Sequence, residues 1–260
     1  MAVQMAGYTS SGMVRRTNED DYAILGGGDA AILADGMGGL ASGRFAATIV
    51  TAVGRAILGD ERISPYERLL GAMDTANNAI YFASRAIRAP MGAVAVAAIV
   101  RNGRLHFAHV GDAQLHLFDP AEDALEQATR DHSCRARRNE VIRYLGARPT
   151  LSDSIADYGE VPFPPGAYFV MNSDGVTGAL SSGALAETVQ AHRDDPAAAA
   201  ERTICKANAR GASDNITVVI GVNTENDRVR MHLHPVGRAI LAGLLSAGTL
   251  LAPVVGGTVR

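Results

Sequence analysis

The sequence predicts an α+β domain, in which antiparallel sheet carries helical cover. Short β-rich runs alternate with alanine-rich helical stretches, and the runs cluster after two long helices instead of alternating strictly with them. Glycine-rich turns join neighbouring runs, as hairpins require. With 47% apolar and 20% charged residues, the 260-residue chain can bury a core, and a net charge of -3 gives it no general pull toward nucleic acid.

The first strands are expected at 22–25 and 30–34, joined by Gly26-Gly27-Gly28-Asp29. Helices follow at 42–58 and 66–88. In the second, Leu69, Leu70, Met73, Ala76, Ile80 and Ala83 recur at helical spacing and predict one buried stripe. Strands resume at 94–100 and 105–110 around an Arg101-Asn102-Gly103 turn, and again at 114–118 and 168–172. A helix at 196–209 and a strand at 216–222 complete the pattern.

Four aspartates stand where these runs meet turns: Asp35, Asp112, Asp174 and Asp214. Carboxylates at strand ends can converge, and convergence repels unless a cation lies between them. For oxygen-only ligands that cation is Mg²⁺ or Mn²⁺. An Asp-Gly pair alone is more often a plain turn, but Asp35-Gly36-Met37-Gly38-Gly39 holds more glycine than a turn needs. That excess suggests close backbone approach to a ligand, with the Gly36 carbonyl as a further oxygen donor. Upstream, Arg15 offers a planar fork matched to phosphate oxygens, and Glu19 and Asp20 are placed to orient metal-bound water.

Together, Arg15-x-x-Asn18-Glu19-Asp20, Asp35-Gly36-Met37-Gly38-Gly39, Ala108-His109-Val110-Gly111-Asp112, Thr129-x-Asp131-His132-Ser133, Ser173-Asp174-Gly175 and Asp214-Asn215-Ile216-Thr217 carry a resemblance. The chain resembles the metal-dependent serine/threonine protein phosphatases of type 2C, in their bacterial form, over residues 7–222. The resemblance implies a four-layer α-β-β-α sandwich, two central antiparallel sheets flanked by helices, with a metal centre at one end. It implies two Mn²⁺ or Mg²⁺ ions with room for a third. Asp35 would bridge the pair, Gly36 would supply a carbonyl, Asp174 and Asp214 would complete the first shell, and Glu19 and Asp20 would act through water. Asp112 and Asp174 would hold the third, weaker ion.

Water bridging two divalent cations loses a proton near neutral pH, so the expected reaction is direct hydrolysis of phosphoserine or phosphothreonine, with Arg15 on the phosphoryl oxygens. Met37 occupies a position where some relatives carry a candidate acid histidine. Metal-bound water is therefore the expected proton donor, and His132 is read as a structural turn residue. Relative to the family, Gly92-Ala93-Val94 and Gly111-Asp112-Ala113-Gln114 lack hydroxyls and one positive charge. The flap after Ser133 is cut short, which predicts an open cleft with Arg135, Arg137 and Arg138 at its rim.

The domain expectation is a catalytic unit at 1–224, a basic juxtamembrane linker at 225–238 and a membrane span at 239–259. No charge occurs in 239–259, and Arg228, Arg230 and Arg238 precede it, which would keep the catalytic unit at the cytoplasmic face of the cell membrane. A packed C-terminal helix on a soluble cytoplasmic protein is the alternative. Cys134 and Cys205 have no metal-ligand spacing and read as incidental thiols. Phosphorylated proteins and a serine/threonine kinase are the implied partners. A catalytically silent phosphoprotein-binding scaffold is the competing function. A nucleotide-binding loop at 36–39 lacks the Lys-Ser/Thr ending such loops need.

Overall fold

The structure, a computed structural model, describes residues 3–37, 41–119, 124–134, 140–150 and 153–224. All of these belong to one compact unit, Met1–Glu225. The expected linker and span at 225–259, the glycines Gly38 and Gly39, and the rim arginines Arg135, Arg137 and Arg138 lie outside the described residues. Among the described residues no helix is long and apolar enough to cross a membrane.

The chain runs β1 (Val3–Ser10), β2 (Asp20–Ile24), β3 (Ala30–Met37), α1 (Ala41–Ile57), α2 (Pro65–Ile87), β4 (Gly92–Arg101), β5 (Arg104–Val110), β6 (Gln114–Asp119) and β7 (Ala124–Gln127). It continues through β8 (Asp157–Pro162), β9 (Tyr168–Asn172), α3 (Asp174–Ala179), α4 (Ser182–Gln190), α5 (Pro196–Ala209) and β10 (Ile216–Asn223). One sheet has the order β1-β10-β9-β6-β7 and the other β2-β3-β4-β5-β8, with antiparallel pairing throughout.

Side-chain alternation divides the interior into three apolar layers. On β3, Ala30, Ile32 and Ala34 face α1 and α2, with Met73, Ala76 and Ile80. Ala31 and Leu33 face the other way, into the space between the sheets, where they meet Leu115, Phe169 and Val219. The second sheet turns Tyr168, Val170, Val218 and Ile220 toward Val176, Leu185 and Ile204 of the remaining helices. These layers are the four-layer sandwich that the resemblance implied.

Local chemistry explains the helix ends. Ser64 and Glu67 form a reciprocal capping box with Pro65 in the first turn of α2, an arrangement that contributes about 1 kcal/mol. On this helix Leu69, Met73, Ala76 and Ile80 are buried, while Leu70 and Ala83 sit partly buried at the edge of the stripe. The hairpin turn at Asn102 and Gly103 has positive φ at both residues, which satisfies the geometry their identities predicted.

Candidate metal centre

Antiparallel register brings the acids together. Asp20 opens β2 and is paired directly with Asp35 on β3, so two carboxylates face one another across adjacent strands. Asp112 lies in the β5–β6 turn, Asp174 is the first residue of α3 just past β9, and Asp214 precedes β10. Because β9 and β10 are neighbours in the opposite sheet, these four elements and β3 open onto one cleft of about 490 Å³. Every predicted site residue lines it except Asp20: Arg15, Glu19, Asp35, Gly36, Asp112, Asp174 and Asp214.

Asp20 lies beneath the floor, 6% exposed. Its Oδ2 accepts bonds from Ser173 Oγ at 2.8 Å and Thr217 Oγ1 at 2.6 Å, both from the other sheet. Thr217 also meets Thr9 at 2.7 Å, and Thr9 accepts from Asn18 Nδ2 at 2.7 Å. This hydroxyl chain stitches the two sheets together under the cleft. Ser173 makes no side-chain cap at the start of α3, since its hydroxyl is engaged with Asp20 and with the Thr217 amide.

Asn215 holds the opposite wall. Its Oδ1 accepts from the Glu19 amide at 2.9 Å, and its Nδ2 donates to the carbonyls of Ser11 and Thr17. The loop carrying Arg15 and Glu19 is thereby fixed beside Asp214, where Arg15 Nη2 meets Asp214 Oδ2 at 2.8 Å. Sequence reasoning passed over Ser173, Asn215 and Thr217 as supporting residues. The available signal was their polarity within motifs already singled out, next to strands that are otherwise apolar.

Gly36 has a packing reason to be glycine beside the one expected. A Cβ there would lie 2.0 Å from the Gly43 carbonyl oxygen, so α1 packs against the end of β3 through backbone alone. The same holds at Gly175, where a Cβ would lie 1.9 Å from the Asn215 carbonyl oxygen. Glycine at both points lets neighbouring backbone close in while keeping Asp35 and Asp174 directed into the cleft.

The electrostatics are those of a crowded acid cluster. Burial, reinforced by Asp20, Asp174, Asp112 and Asp214, pushes the Asp35 carboxyl well above the usual carboxylate range. Burial also raises Asp20 to about 6 against the two bonds it accepts, and raises Asp112 to about 6 with help from Asp174. Asp174 is raised by burial and then by Asp214. The second oxygen of Asp20, Oδ1, is buried without a hydrogen-bond partner among the described residues. An orphaned carboxylate oxygen below crowded, oxygen-only donors fits a hard divalent cation, which would relieve both desolvation and repulsion.

Comparison with known proteins agrees with that fit. The family described as protein phosphatase 2C matches residues 35–157. The serine/threonine phosphatase stp of Listeria innocua is 28% identical over 241 residues, spanning 82% of this chain and 92% of its own. Protein phosphatase PhpP of Streptococcus pneumoniae is 29% identical over 242 residues, spanning 82% and 95%. The chain is similar to bacterial phosphatases of the protein phosphatase 2C family.

Solved structures place the same fold around it. The serine/threonine phosphatase PstP/Ppp of Mycobacterium tuberculosis superposes with a TM-score of 0.78 at 25% identity, over 86% of this chain and all of its own. A PstP catalytic domain in complex with two manganese ions gives 0.75 at 26% identity, over 85% and 97%.

Among the described residues a second group has the residue types of a metal site: His109, His132 and Asp157. The hydrogen bonds argue against a cation there. The Gly111 amide donates to His132 Nδ1 at 3.1 Å, which leaves the proton on Nε2, 3.0 Å from Asp157 Oδ2. Arg143 already neutralises Asp157 at 2.6 Å. Both ring nitrogens of His132 are therefore engaged, consistent with its reading as a structural turn residue. Gln114, which stands where the family carries arginine, donates to Asp131 at 3.0 Å and leaves Asp112 alone. Cys134 is half-buried, Cys205 is exposed, and both are free thiols.

Proposed function

We propose that the chain hydrolyses phosphoserine and phosphothreonine in proteins, with Asp35, Asp174 and Asp214 holding two divalent cations, Mn²⁺ or Mg²⁺, and Asp112 with Asp174 holding a third. The observation that carries this reading is the convergence of these carboxylates on one cleft above the orphaned oxygen of Asp20. Gly36 would add its carbonyl, and Glu19 and Asp20 would act from the margin through water. When bound, the ions lower the pKa of water and neutralise charge on phosphoryl oxygens.

The chain's own residues supply orientation. Arg15 is 54% exposed and tied to Asp214 by one Nη, so the rest of its guanidinium can grip phosphoryl oxygens as a substrate enters. Asn215 keeps that loop, and with it Arg15 and Glu19, at a fixed height over the cleft. Met37 lines the cleft but carries no proton, and His132 is engaged elsewhere, so the leaving alkoxide takes its proton from solvent. No carboxylate of the set is missing, which favours catalysis over a silent phosphoprotein-binding scaffold.

The wider setting belongs to the same proposal: the enzyme reverses a serine/threonine kinase at the cytoplasmic face of the cell membrane, anchored through residues 239–259. The apolar length of that segment and the arginines before it support the anchor. Purified chain should release phosphate from a phosphothreonine peptide with Mn²⁺ and stop on addition of a chelator. Hydrolysis that persists without metal would overturn the assignment. Equal solubility of the chain with and without 239–260 on membrane fractionation would overturn the anchor.

A further inference from the structure

The cleft wall beside Asp112 is held by a device that the reaction itself does not use. His132 grips Gly111, the residue immediately before Asp112, from two sides: the Gly111 amide donates to His132 Nδ1 at 3.1 Å, and the His132 amide donates to the Gly111 carbonyl at 2.8 Å. Beyond it, His132 Nε2 donates to Asp157 Oδ2 at 3.0 Å and Arg143 Nη1 donates to Asp157 Oδ1 at 2.6 Å. One carboxylate thus joins an imidazole to a guanidinium.

Arg143 belongs to the end of the shortened flap, just before Leu145. That stretch is stitched back to the core by bridges from Val141 to Ser133 and from Leu145 to Ala93, and by the Ile142 amide on the His132 carbonyl. Val141 and Ser133 both line the catalytic cleft. Asp157 lies at the start of edge strand β8, opposite His109 on β5. The chain of contacts therefore runs from the flap remnant, through an edge strand, to the backbone that aims Asp112.

We propose that Arg143, Asp157 and His132 act as positioning residues that set the Gly111–Asp112 turn, so that the flap remnant tunes how tightly the Asp112 carboxylate holds its divalent ion. The inference rests on the assignment of Asp112 to the weakest ion made above. Burial acts to raise the Asp157 carboxyl, yet the bonds from His132 and Arg143 hold it below its ordinary range, so it stays charged and keeps both partners. His109, whose ring is tilted at 54° against that of His132 with centroids 4.6 Å apart, is pushed down to about 4 by burial and then by His132, so it adds no competing charge at neutral pH. Groups that orient a ligand in this way typically change metal affinity by about 10- to 100-fold when removed.

The test uses the full chain and two surface variants, Arg143→Met and Asp157→Asn. Their side chains are 44% and 54% exposed, so neither change opens the core. Mn²⁺ binding is read by electron paramagnetic resonance of the free ion, and the Gly111 amide by hydrogen exchange. The expected result is that the weakest Mn²⁺ site loses about 10-fold in affinity, the tighter sites hold, and the Gly111 amide exchanges faster. The turnover number at saturating Mn²⁺ should stay near wild type while the Mn²⁺ concentration for half activity rises. Arg143→Lys, which keeps the charge, should recover most of the loss.

Unchanged Mn²⁺ affinity at the weakest site, or an unchanged Gly111 exchange rate, would overturn the proposal. A wild-type chain that binds Mn²⁺ but hydrolyses no phosphopeptide would instead overturn the phosphatase assignment, and the binding and exchange measurements would still decide the relay.

Discussion

Replacing Asp112 by Asn should stabilise the metal-free protein at neutral pH while damaging its function. In the fold, burial and then Asp174 raise the Asp112 carboxyl from 3.8 to about 6. A raised acid binds its proton more tightly in the folded state than in the unfolded one, so stability falls as pH rises from about 4 to about 6. The full displacement corresponds to about 3 kcal/mol, and solvent reaching the half-buried side chain reduces this to about 1–3 kcal/mol. For a domain of this size that is a rise of roughly 2–10 °C in Tm.

Calorimetry in chelator at pH 4.5 and pH 7.5 makes the measurement, with the variant compared to wild type at each pH. The comparison cancels His109 and His116, whose lowered pKa values give pH trends of the opposite sign in both proteins. The variant should gain about three times as much at pH 7.5 as at pH 4.5, and saturating Mn²⁺ should erase the advantage. A variant less stable than wild type at pH 7.5 would refute the view that this carboxylate is a metal ligand kept at a cost in stability.

Asp174→Asn should lower Mn²⁺-dependent phosphopeptide hydrolysis by at least about 100-fold while circular dichroism stays unchanged; retained turnover would remove Asp174 from the mechanism. Gly175→Ala drives a Cβ to 1.9 Å from the Asn215 carbonyl oxygen and should cost about 1–3 kcal/mol in urea denaturation, with activity lost alongside. Thr217→Val strips Asp20 of a 2.6 Å donor in a buried setting, so a loss of about 1–3 kcal/mol and weaker Mn²⁺ binding should appear together in calorimetric titration.

The reading of sequence succeeded where one physical signal dominated. β9 and α5 fall on the expected bounds because a fully buried strand is continuously apolar and because Asp195 and Pro196 mark a helix start. β3 runs past its expected end at 34 to Met37, since Asp35 and Gly36 pair with Val94 and Ala93 even though their residue types signal a turn. β1, β7, β8, α3 and α4 were not foreseen. The three strands are edges, half-exposed or short, with glycine in β1 and β8 and no alternation strong enough to mark them. α3 holds Gly175 and Gly178 in six residues, and only tertiary contact with Asn215 and β10 explains why it is helical.

Within the cleft, the acids that converge were legible in the sequence and their supports were not. Aspartates at strand ends announce themselves because charge there needs a reason. Thr217 and Ser173 look like ordinary polar punctuation until the two sheets are stacked.

That stacking explains why Asp20 is buried. The two sheets meet through an apolar layer that ends at the cleft, and a carboxylate at this boundary would ordinarily prefer solvent. Ser173 and Thr217 hold it down from the opposite sheet, at 2.8 and 2.6 Å, and in doing so lock the start of α3 and the start of β10 against β2. Asp174 and Asp214 sit next to those locked points, so the bond pair that restrains one acid fixes the placement of two others. Among the described residues the remaining oxygen of Asp20 has no hydrogen-bond partner, and a cation or its hydration shell would satisfy it without moving the sheets. The centre is thus built into the seam between the sheets, and removing the hydroxyl at Thr217 should disturb metal affinity and sheet packing in the same measurement.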